Sequence, residues 1–167
     1  IIIGLPASGK SSIANEIAEE HGAVILDSDY AKRKLPEFKS HLYGASIVHE
    51  ESSQMMFGFS GAQPGKPDSL FELTIRQDKN IVIPTIGQNP SKIVALTDSL
   101  KKRWNYEVHL ILISISKKNA TIRAIRRFAK SKRYLPIGLI FDGYGNDPSL
   151  CYYYLRSKYE AHFASFG

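Results

Sequence analysis

Eight residues near the start of the chain have the types and the spacing that phosphate chemistry needs. Residues 4–11 read G-L-P-A-S-G-K-S, the G-x-x-x-x-G-K-[ST] pattern of a phosphate-binding loop. In such a loop the backbone amides surround nucleotide phosphates, a lysine placed as Lys10 reaches the outer phosphates, and a hydroxyl placed as Ser11 holds Mg²⁺. We therefore expect a nucleotide site that is built by Pro6, Ala7, Ser8, Gly9, Lys10, Ser11 and Ser12.

Two carboxylates, Asp27 and Asp29, follow an apolar run at 23–26. Ligands of open α/β sheets bind beyond the carboxyl ends of the strands, and residues two apart on an extended segment point to the same side. One carboxylate can then accept the proton of a substrate hydroxyl while the other supports Mg²⁺-bound water or the adjacent turn. We favour Asp29 as the base. The alternative is that Asp27 or Asp29 caps a helical turn that starts near Tyr30.

A basic helix is predicted over 118–131. Its predicted apolar face consists of Ile122, Ile125 and Ala129. Its predicted cationic face consists of Arg123, Arg127 and Lys130. Guanidinium groups offset the charge on the oxygens of a transferring phosphoryl group, so in a chain with a phosphate loop we favour a catalytic role over a solvated face.

Several signatures of other nucleotide-binding classes are missing from the sequence. The apolar run 81–83 is followed by Pro84, without a D-x-x-G motif, and the chain has no N-K-x-D guanine signature. The run 108–115 has no acid at its end, which argues against a large motor-type ATPase. A small kinase that uses ATP and Mg²⁺ fits best.

The elements that would position these residues alternate between short apolar runs and helical stretches. This alternation predicts parallel strands with crossover helices: a three-layer α/β P-loop kinase fold, with a mostly parallel sheet flanked by helices. The predicted strands are 1–3, 23–26, 80–84 and 107–114. The predicted helices are 10–20, 45–58, 68–79, 91–103, 118–131 and 147–164. In the last helix the packing stripe is predicted to be either Leu150, Tyr153 and Tyr154, or Leu155 and Tyr159.

Composition indicates one globular kinase domain over 1–167, with 43% hydrophobic and 23% charged residues. The strand at residue 1 has nothing before it, so we expect the natural chain to start earlier.

Cys151, the single cysteine, excludes an internal disulfide and suits a reducing cytoplasm. No apolar run approaches the roughly 20 residues that span a bilayer. The net charge of +6 is compatible with nucleic acid, but no nucleic-acid module accompanies it, and this is the minor interpretation.

The remaining notable side chains are expected to be structural. The five histidines have no metal-ligand or triad spacing, and His109 is predicted to pack inside a strand. Trp104 and the tyrosines at 152–154 are predicted to be core or partner surface. The Gly- and Pro-rich stretch 58–67 is predicted to be an irregular surface loop, with a substrate lid as the alternative.

Several of these segments together resemble the zeta-toxin family, P-loop kinases of bacterial toxin–antitoxin systems. The shared landmarks run in order over about residues 1–136. They are Pro6-Ala7-Ser8-Gly9-Lys10-Ser11, Asp27-Ser28-Asp29-Tyr30 with Arg33, Leu35-Pro36-Glu37-Phe38, Asn105-Tyr106-Glu107-Val108, Ile125-Arg126-Arg127-Phe128, and Lys132-Arg133-Tyr134-Leu135-Pro136.

The resemblance implies an activity and a set of roles. Members of the family phosphorylate the 3′-hydroxyl of UDP-N-acetylglucosamine, and a small helical antitoxin that occludes the nucleotide site restrains them. By resemblance, Lys10 would hold the phosphates, Ser11 the Mg²⁺, and Asp29 would be the base. Arg127 and Arg133 would stabilise the transferring phosphoryl group.

The chain departs from the family pattern on the acceptor side. The family carries an E-G-T motif after its third strand, with a glutamate that contacts the sugar nucleotide, whereas this chain has Pro84-Thr85-Ile86-Gly87. Three alternatives follow: Glu50 or Glu51 substitutes, the acceptor differs, or activity is lost. The candidate acceptor-binding residues are Asp27, Glu50, Glu51 and Arg123. The competing functions are another small kinase, for an antibiotic, nucleoside or metabolite, and a nucleotide-binding module without catalysis.

Overall fold

The computed structural model describes residues 1–40, 43–58, 68–131 and 135–167. Its strands are β1 Ile2–Gly4, β2 Val24–Ile25, β3 Ile81–Val82, β4 Pro84–Thr85, β5 His109–Ile113 and β6 Ser165–Phe166. Each strand pair within the described residues is parallel: β2 with β3, β4 with β1, β1 with β5, and β5 with β6. Only Ile83 separates β3 from β4, and its carbonyl accepts a hydrogen bond from the Ile2 amide at 3.0 Å. The strands therefore line up in the order β2, β3–β4, β1, β5, β6.

The helices cover both faces of this sheet. They are α1 Lys10–His21, α2 Ser28–Lys32, α3 Pro36–Ser40, α4 Gly44–Ile47, α5 His49–Phe57, α6 Leu70–Arg76, α7 Pro90–Trp104, α8 Lys117–Ser131 and α9 Asp147–Lys158. A π-helical turn, Leu139–Gly143, precedes α9, and a 3₁₀ turn, Glu160–His162, follows it.

The alternation of side chains along β1 divides the core into two layers. Ile2 packs with Ala14 of α1 and Val82 of β3. Ile3 points the other way, into a larger cluster with Leu100 of α7 and Leu155 of α9. Successive strand residues point to opposite faces, so β1 is buried on both sides, as a central parallel strand must be. The predicted fold class, a mostly parallel α/β sheet flanked by helices, is confirmed.

The C-terminal part differs from the prediction. The predicted helix 147–164 ends at Lys158, and the chain then forms β6, a strand that the sequence did not predict. Tyr159 leaves helical geometry with φ of −133°, and the Ala164 amide binds the Val108 carbonyl at 2.8 Å, which begins the pairing with β5. A two-residue strand has too little periodicity to be recognised from sequence.

The packing stripe of α9 follows the second predicted alternative. Leu155 is fully buried and Tyr159 packs against the same core, beside Cys151 and Tyr152. The first alternative is wrong, because its three members are 65%, 62% and 47% exposed; they are Leu150, Tyr153 and Tyr154.

The predicted apolar face of α8 is also wrong. Ile122 and Ile125 are 37% and 52% exposed, and Ala129 is exposed, whereas Ala120 and Ala124 are buried. These two alanines pack with Ala7 of the phosphate loop and Ile140 of the π-helical turn. A methyl group allows the helix to approach the loop closely, so close approach selects the alanine face over the more hydrophobic isoleucine face.

Three smaller differences concern helices and one histidine. The predicted helix 45–58 is two helices, α4 and α5, which meet at Val48, and α2 and α3 occupy a region where no helix was predicted. His109 is exposed rather than packed, and its Nδ1 lies 2.8 Å from the Ser165 hydroxyl. Of the predicted loop 58–67, Gly58 ends α5 and residues 59–67 lie outside the described residues.

Candidate functional site

The phosphate loop joins the carboxyl end of β1 to the amino end of α1. Ala7 and Gly9 have φ angles of +62° and +106°, in the left-handed region, so the chain turns sharply over these residues. Such turns direct neighbouring amides toward one concave side, and the helix N-terminus adds its partial positive charge. Gly4 admits no larger residue, because an added Cβ would lie 2.6 Å from the Ile113 carbonyl oxygen. The loop therefore has the backbone geometry of an anion-binding site.

Lys10 is held by the loop that contains it. Its Nζ donates hydrogen bonds to the carbonyl oxygens of Gly4 at 2.7 Å and Leu5 at 2.8 Å. Lys10 is the first residue of α1, directly after Gly9, and its ammonium group turns back to the start of the loop. Ser11 and Ser12 follow it in the first turn of α1 and are exposed.

Helix α8 supports the loop from one side. Its alanine face packs against Ala7, and the Nη1 of Arg123 donates a hydrogen bond to the Ser8 carbonyl oxygen at 3.0 Å. Ser8 itself is buried, with 4% of its surface exposed. Arg127 lies one helical turn beyond Arg123 and is half-buried, and Lys130 is exposed. Arg133 lies outside the described residues.

The two carboxylates after β2 have different environments. Asp27 is the N-cap of α2: its Oδ1 accepts a hydrogen bond from the Asp29 amide at 2.9 Å. The Asp29 carboxylate pairs with the Lys32 ammonium, one turn along the helix, at 3.3 Å. The Asp29 and Lys32 side chains are 23% and 10% exposed, so the pair is partly shielded from water. Asp27 thus takes the capping position, and Asp29 has a carboxylate held beside a buried cation.

Lys32 is a site residue that the sequence analysis missed. It is one of three consecutive basic residues, Lys32, Arg33 and Lys34, and nothing in their composition distinguishes them. The spacing of three between Asp29 and Lys32 was the available signal, because residues three apart in a helix are neighbours.

A side-chain hydrogen bond links α2, the helix that carries Asp29, to α1, the helix that follows the phosphate loop. The Tyr30 hydroxyl donates to the Asn15 Oδ1 at 3.3 Å, and Asn15 lies one turn after Ser11 on α1. Because the strands are parallel, the segments that follow β1, β2 and β4 all leave at the same edge of the sheet. The Gly4 amide donates to the Ile86 carbonyl at 3.2 Å, which ties the start of the loop to the segment after β4.

The glutamates that are predicted to bind the acceptor, Glu50 and Glu51, are more exposed than Asp29. Glu50 and Glu51 lie in the first turn of α5, a helix that packs against α2, and both are exposed. Glu50 accepts a hydrogen bond from the Gln54 side chain at 3.3 Å. Pro84, at the position of the family glutamate, pairs with Ile2 in the sheet and brings no carboxylate to this edge.

Two cavities among the described residues lie at opposite edges of the sheet. The larger, about 530 Å³, lies at the amino ends of the strands, among residues that include Ile1, Asn80 and Glu107. The smaller, about 180 Å³, lies beside Leu5 at the carboxyl end of β5 and is lined by Ser114 and Lys117. The volume alone would favour the larger cavity, but ligands of open α/β sheets bind at the carboxyl edge, where the loop is.

Two kinds of feature are absent from the described residues: a metal-binding cluster and a membrane-spanning helix. These residues hold no group of three or more His, Cys, Asp or Glu side chains that could bind a metal ion by themselves. In the same residues, no helix combines the length and the apolar character needed to cross a membrane.

The loop after β1, the helix that follows it and the parallel sheet define the class of P-loop nucleotide-binding proteins. Within this class the chain belongs to the Zeta toxin family, whose model matches residues 1–141. The predicted family resemblance is thereby confirmed, and the chain is a kinase-type phosphotransferase with a nucleotide site.

Comparison with curated proteins gives no match. Two solved structures are similar to this chain. One is deoxyadenosine kinase from M. mycoides with bound dCTP, at 17% identity and a TM-score of 0.47, with 99% of this chain and 86% of that chain covered. The other is deoxyadenosine kinase from M. mycoides with bound dATP, at 15% identity and a TM-score of 0.49, with 99% and 87% covered. The family assignment rests on the match over residues 1–141.

Proposed function

We propose that this protein transfers the γ-phosphoryl group of ATP to a hydroxyl of a sugar nucleotide such as UDP-N-acetylglucosamine. The observation that carries the proposal is the placement of Asp29 at the same sheet edge as the phosphate loop, with the Tyr30–Asn15 hydrogen bond between the two helices. A donor cradle and a carboxylate base on one edge are the two parts that phosphoryl transfer to an alcohol needs.

On the donor side, Lys10 would leave the Gly4 and Leu5 carbonyls and bind the outer phosphates of ATP. The Ser11 hydroxyl would hold Mg²⁺, which supplies charge neutralisation between the phosphates when it is bound. Arg127 and Arg133 would offset the charge on the transferring phosphoryl group, since guanidinium groups match its oxygens in geometry.

On the acceptor side, Asp29 would take the proton of the attacking hydroxyl. The new bond forms between the acceptor oxygen and the γ-phosphorus, the bond to the ADP oxygen breaks, and the proton goes to the Asp29 carboxylate. Lys32 would fix the direction of that carboxylate through their 3.3 Å ion pair. Asp27, through the α2 cap, would position Asp29, and Glu50, Glu51 or Arg123 are the further candidates for acceptor contacts.

The test compares two neighbouring aspartates. Lys10→Ala should abolish phosphoryl transfer, and Asp29→Asn should lower it about 10²- to 10⁴-fold while ATP still binds, because a general base contributes on this scale. Asp27→Asn is the comparison variant: asparagine caps a helix as well as aspartate does, so this change should lower transfer less than Asp29→Asn, and an equal loss would assign Asp27 to the acceptor site. Substantial turnover by Asp29→Asn would reject Asp29 as the base.

A different acceptor is the second candidate, and Pro84 is the observation that favours it. A coupled assay for ADP release, run with UDP-N-acetylglucosamine, nucleosides, aminoglycosides and simple sugars, separates the possibilities. Release with UDP-N-acetylglucosamine alone supports the sugar nucleotide, and release with another member of the panel replaces it. ATP binding without release by any acceptor supports a nucleotide-binding module.

The proposal includes a setting and a partner. The chain would act as one kinase domain in the cytoplasm, where its buried Cys151 stays reduced. By family membership, a small helical antitoxin would occlude the nucleotide site. Such a partner should compete with ATP, so an antitoxin whose binding is unaffected by saturating ATP would contradict this part.

A further inference from the structure

We infer that Arg123 is a positioning residue for the phosphate loop: its hydrogen bond to the Ser8 carbonyl fixes the direction of the Gly9 amide. This role depends on the proposed function in one respect: the ligand of the loop is taken to be a nucleoside triphosphate. It lies within the donor site, and it needs no assumption about the acceptor.

The first step is the geometry of one peptide unit. The Ser8 carbonyl and the Gly9 amide belong to the same planar trans peptide, so the oxygen and the hydrogen point in opposite directions. Arg123 holds the oxygen toward α8 at 3.0 Å, and the Gly9 N–H therefore points away from α8. Gly9 is the N-cap of α1, so its amide is one of the donors available to an anion at this helix end.

The second step is that this peptide unit needs to be held. Gly9 has φ of +106°, and glycine occupies positive and negative φ about equally, so rotation of the Ser8–Gly9 peptide is easy. A rotated peptide would turn the carbonyl dipole toward the phosphates and remove one amide donor. A hydrogen bond from a charged guanidinium is stronger than a neutral one, and it opposes this rotation.

The third step is that α8 gives Arg123 a fixed base. Ala120 and Ala124, on either side of Arg123 in the sequence, are buried against Ala7 of the loop. The Arg123 backbone is therefore fixed relative to the loop, and only its side chain bridges to Ser8. The guanidinium also lies 3.4 Å from the point where a Gly9 Cβ would be, so it closes that side of the loop.

The experiment measures binding of Mg²⁺–ATP and of inorganic tripolyphosphate to the wild type, Arg123→Gln, Arg123→Lys and Arg126→Gln. Arg126 is the matched control, because it is an exposed arginine of the same helix. Arg123→Gln should weaken both ligands about tenfold, on the scale of losing one hydrogen bond to a charged group, and Arg123→Lys should recover part of the loss. Arg126→Gln should bind both as the wild type does.

A second readout separates positioning from direct contact. Amide hydrogen exchange of residues 4–12, measured without nucleotide, should be faster in Arg123→Gln than in the wild type and unchanged in Arg126→Gln. Weaker binding with unchanged exchange would mean that Arg123 touches the phosphates directly, and it would overturn the inference. A loss confined to ATP, with tripolyphosphate unaffected, would place Arg123 at the nucleoside and overturn it as well.

The same measurements separate a failure of the proposed function from a failure of the role given to Arg123. If the wild type binds neither ATP nor tripolyphosphate, the assignment of the loop as the donor site is wrong. The exchange comparison still tests the loop role of Arg123 in that case, because it needs no ligand. Unchanged exchange in Arg123→Gln would then overturn the inference on its own.

Discussion

Gly87, which follows β4, offers a quantitative test of how the strand under the phosphate loop is packed. Its φ is +79°, and a Cβ added there would lie 2.8 Å from the Cβ of Ile3 and 3.0 Å from its Cγ2. Ile3 is fully buried in β1, the strand that leads into the loop. Gly87→Ala should therefore incur two costs: about 1–2 kcal/mol for a left-handed alanine, and about 1–3 kcal/mol for overpacking a core that cannot expand.

The matched control is Gly22→Ala at the end of α1. Gly22 has φ of +58° and nothing within 4 Å of an added Cβ, so this change carries the conformational cost alone. We expect Gly87→Ala to lower the free energy of unfolding by about 2–5 kcal/mol and Gly22→Ala by about 1–2 kcal/mol. Urea unfolding measures both free-energy changes from the shift of the transition midpoint, provided that the dependence of the unfolding free energy on urea concentration is unchanged.

The result that would refute this reasoning is equal destabilisation by the two substitutions. The close approach of Gly87 to Ile3 would then contribute nothing. A further measurement ties the effect to the site. If β1 shifts to accommodate the alanine, Gly87→Ala should also weaken Mg²⁺–ATP binding, whereas Gly22→Ala should not.

Three further predictions concern other parts of the molecule. Lys32→Met should lower the free energy of unfolding by about 1–3 kcal/mol, because it leaves the Asp29 carboxylate without its lysine, and Lys32→Arg should restore most of the loss. Burial, followed by the nearby Asp147 charge, raises the pKa of the Cys151 thiol to about 11. The unfolded thiol loses its proton first, so stability should fall between about pH 9 and pH 11 in the wild type but less in Cys151→Ser, and a thiol reagent should react only as fast as the protein opens. Ser69→Ala should cost about 1 kcal/mol in thermal or urea unfolding, because Ser69 forms a capping box with Glu72.

The donor side of the site could be predicted from sequence because its determinants are local. The glycines, Lys10 and Ser11 lie within eight residues, and their spacing alone specifies a turn between a strand and a helix. The position of Asp29 was predictable for a related reason, since it lies four residues after β2, a strand whose direction the fold class fixes.

Features that depend on distant contacts could not be predicted. The hydrophobicity of α8 favours Ile122 and Ile125, but the helix buries Ala120 and Ala124 because Ala7, more than 100 residues earlier, is its neighbour. Strand β6 is a strand because it pairs with β5, not because of its own two residues. Periodicity measures the preference of a segment, whereas the buried face is decided by what the rest of the chain places against it.

The resting contacts of Lys10 have a consequence for which anions the loop accepts. The ammonium already has two carbonyl acceptors, at 2.7 Å and 2.8 Å, so a ligand competes with the protein's own carbonyls for its N–H groups. Carbonyl oxygens carry only partial charge, and a polyphosphate with several full charges replaces them readily. Chloride, or a single weakly held oxyanion, gains less from the exchange. We therefore expect the loop to select its ligands by charge density, so that chloride should compete poorly with a nucleoside triphosphate.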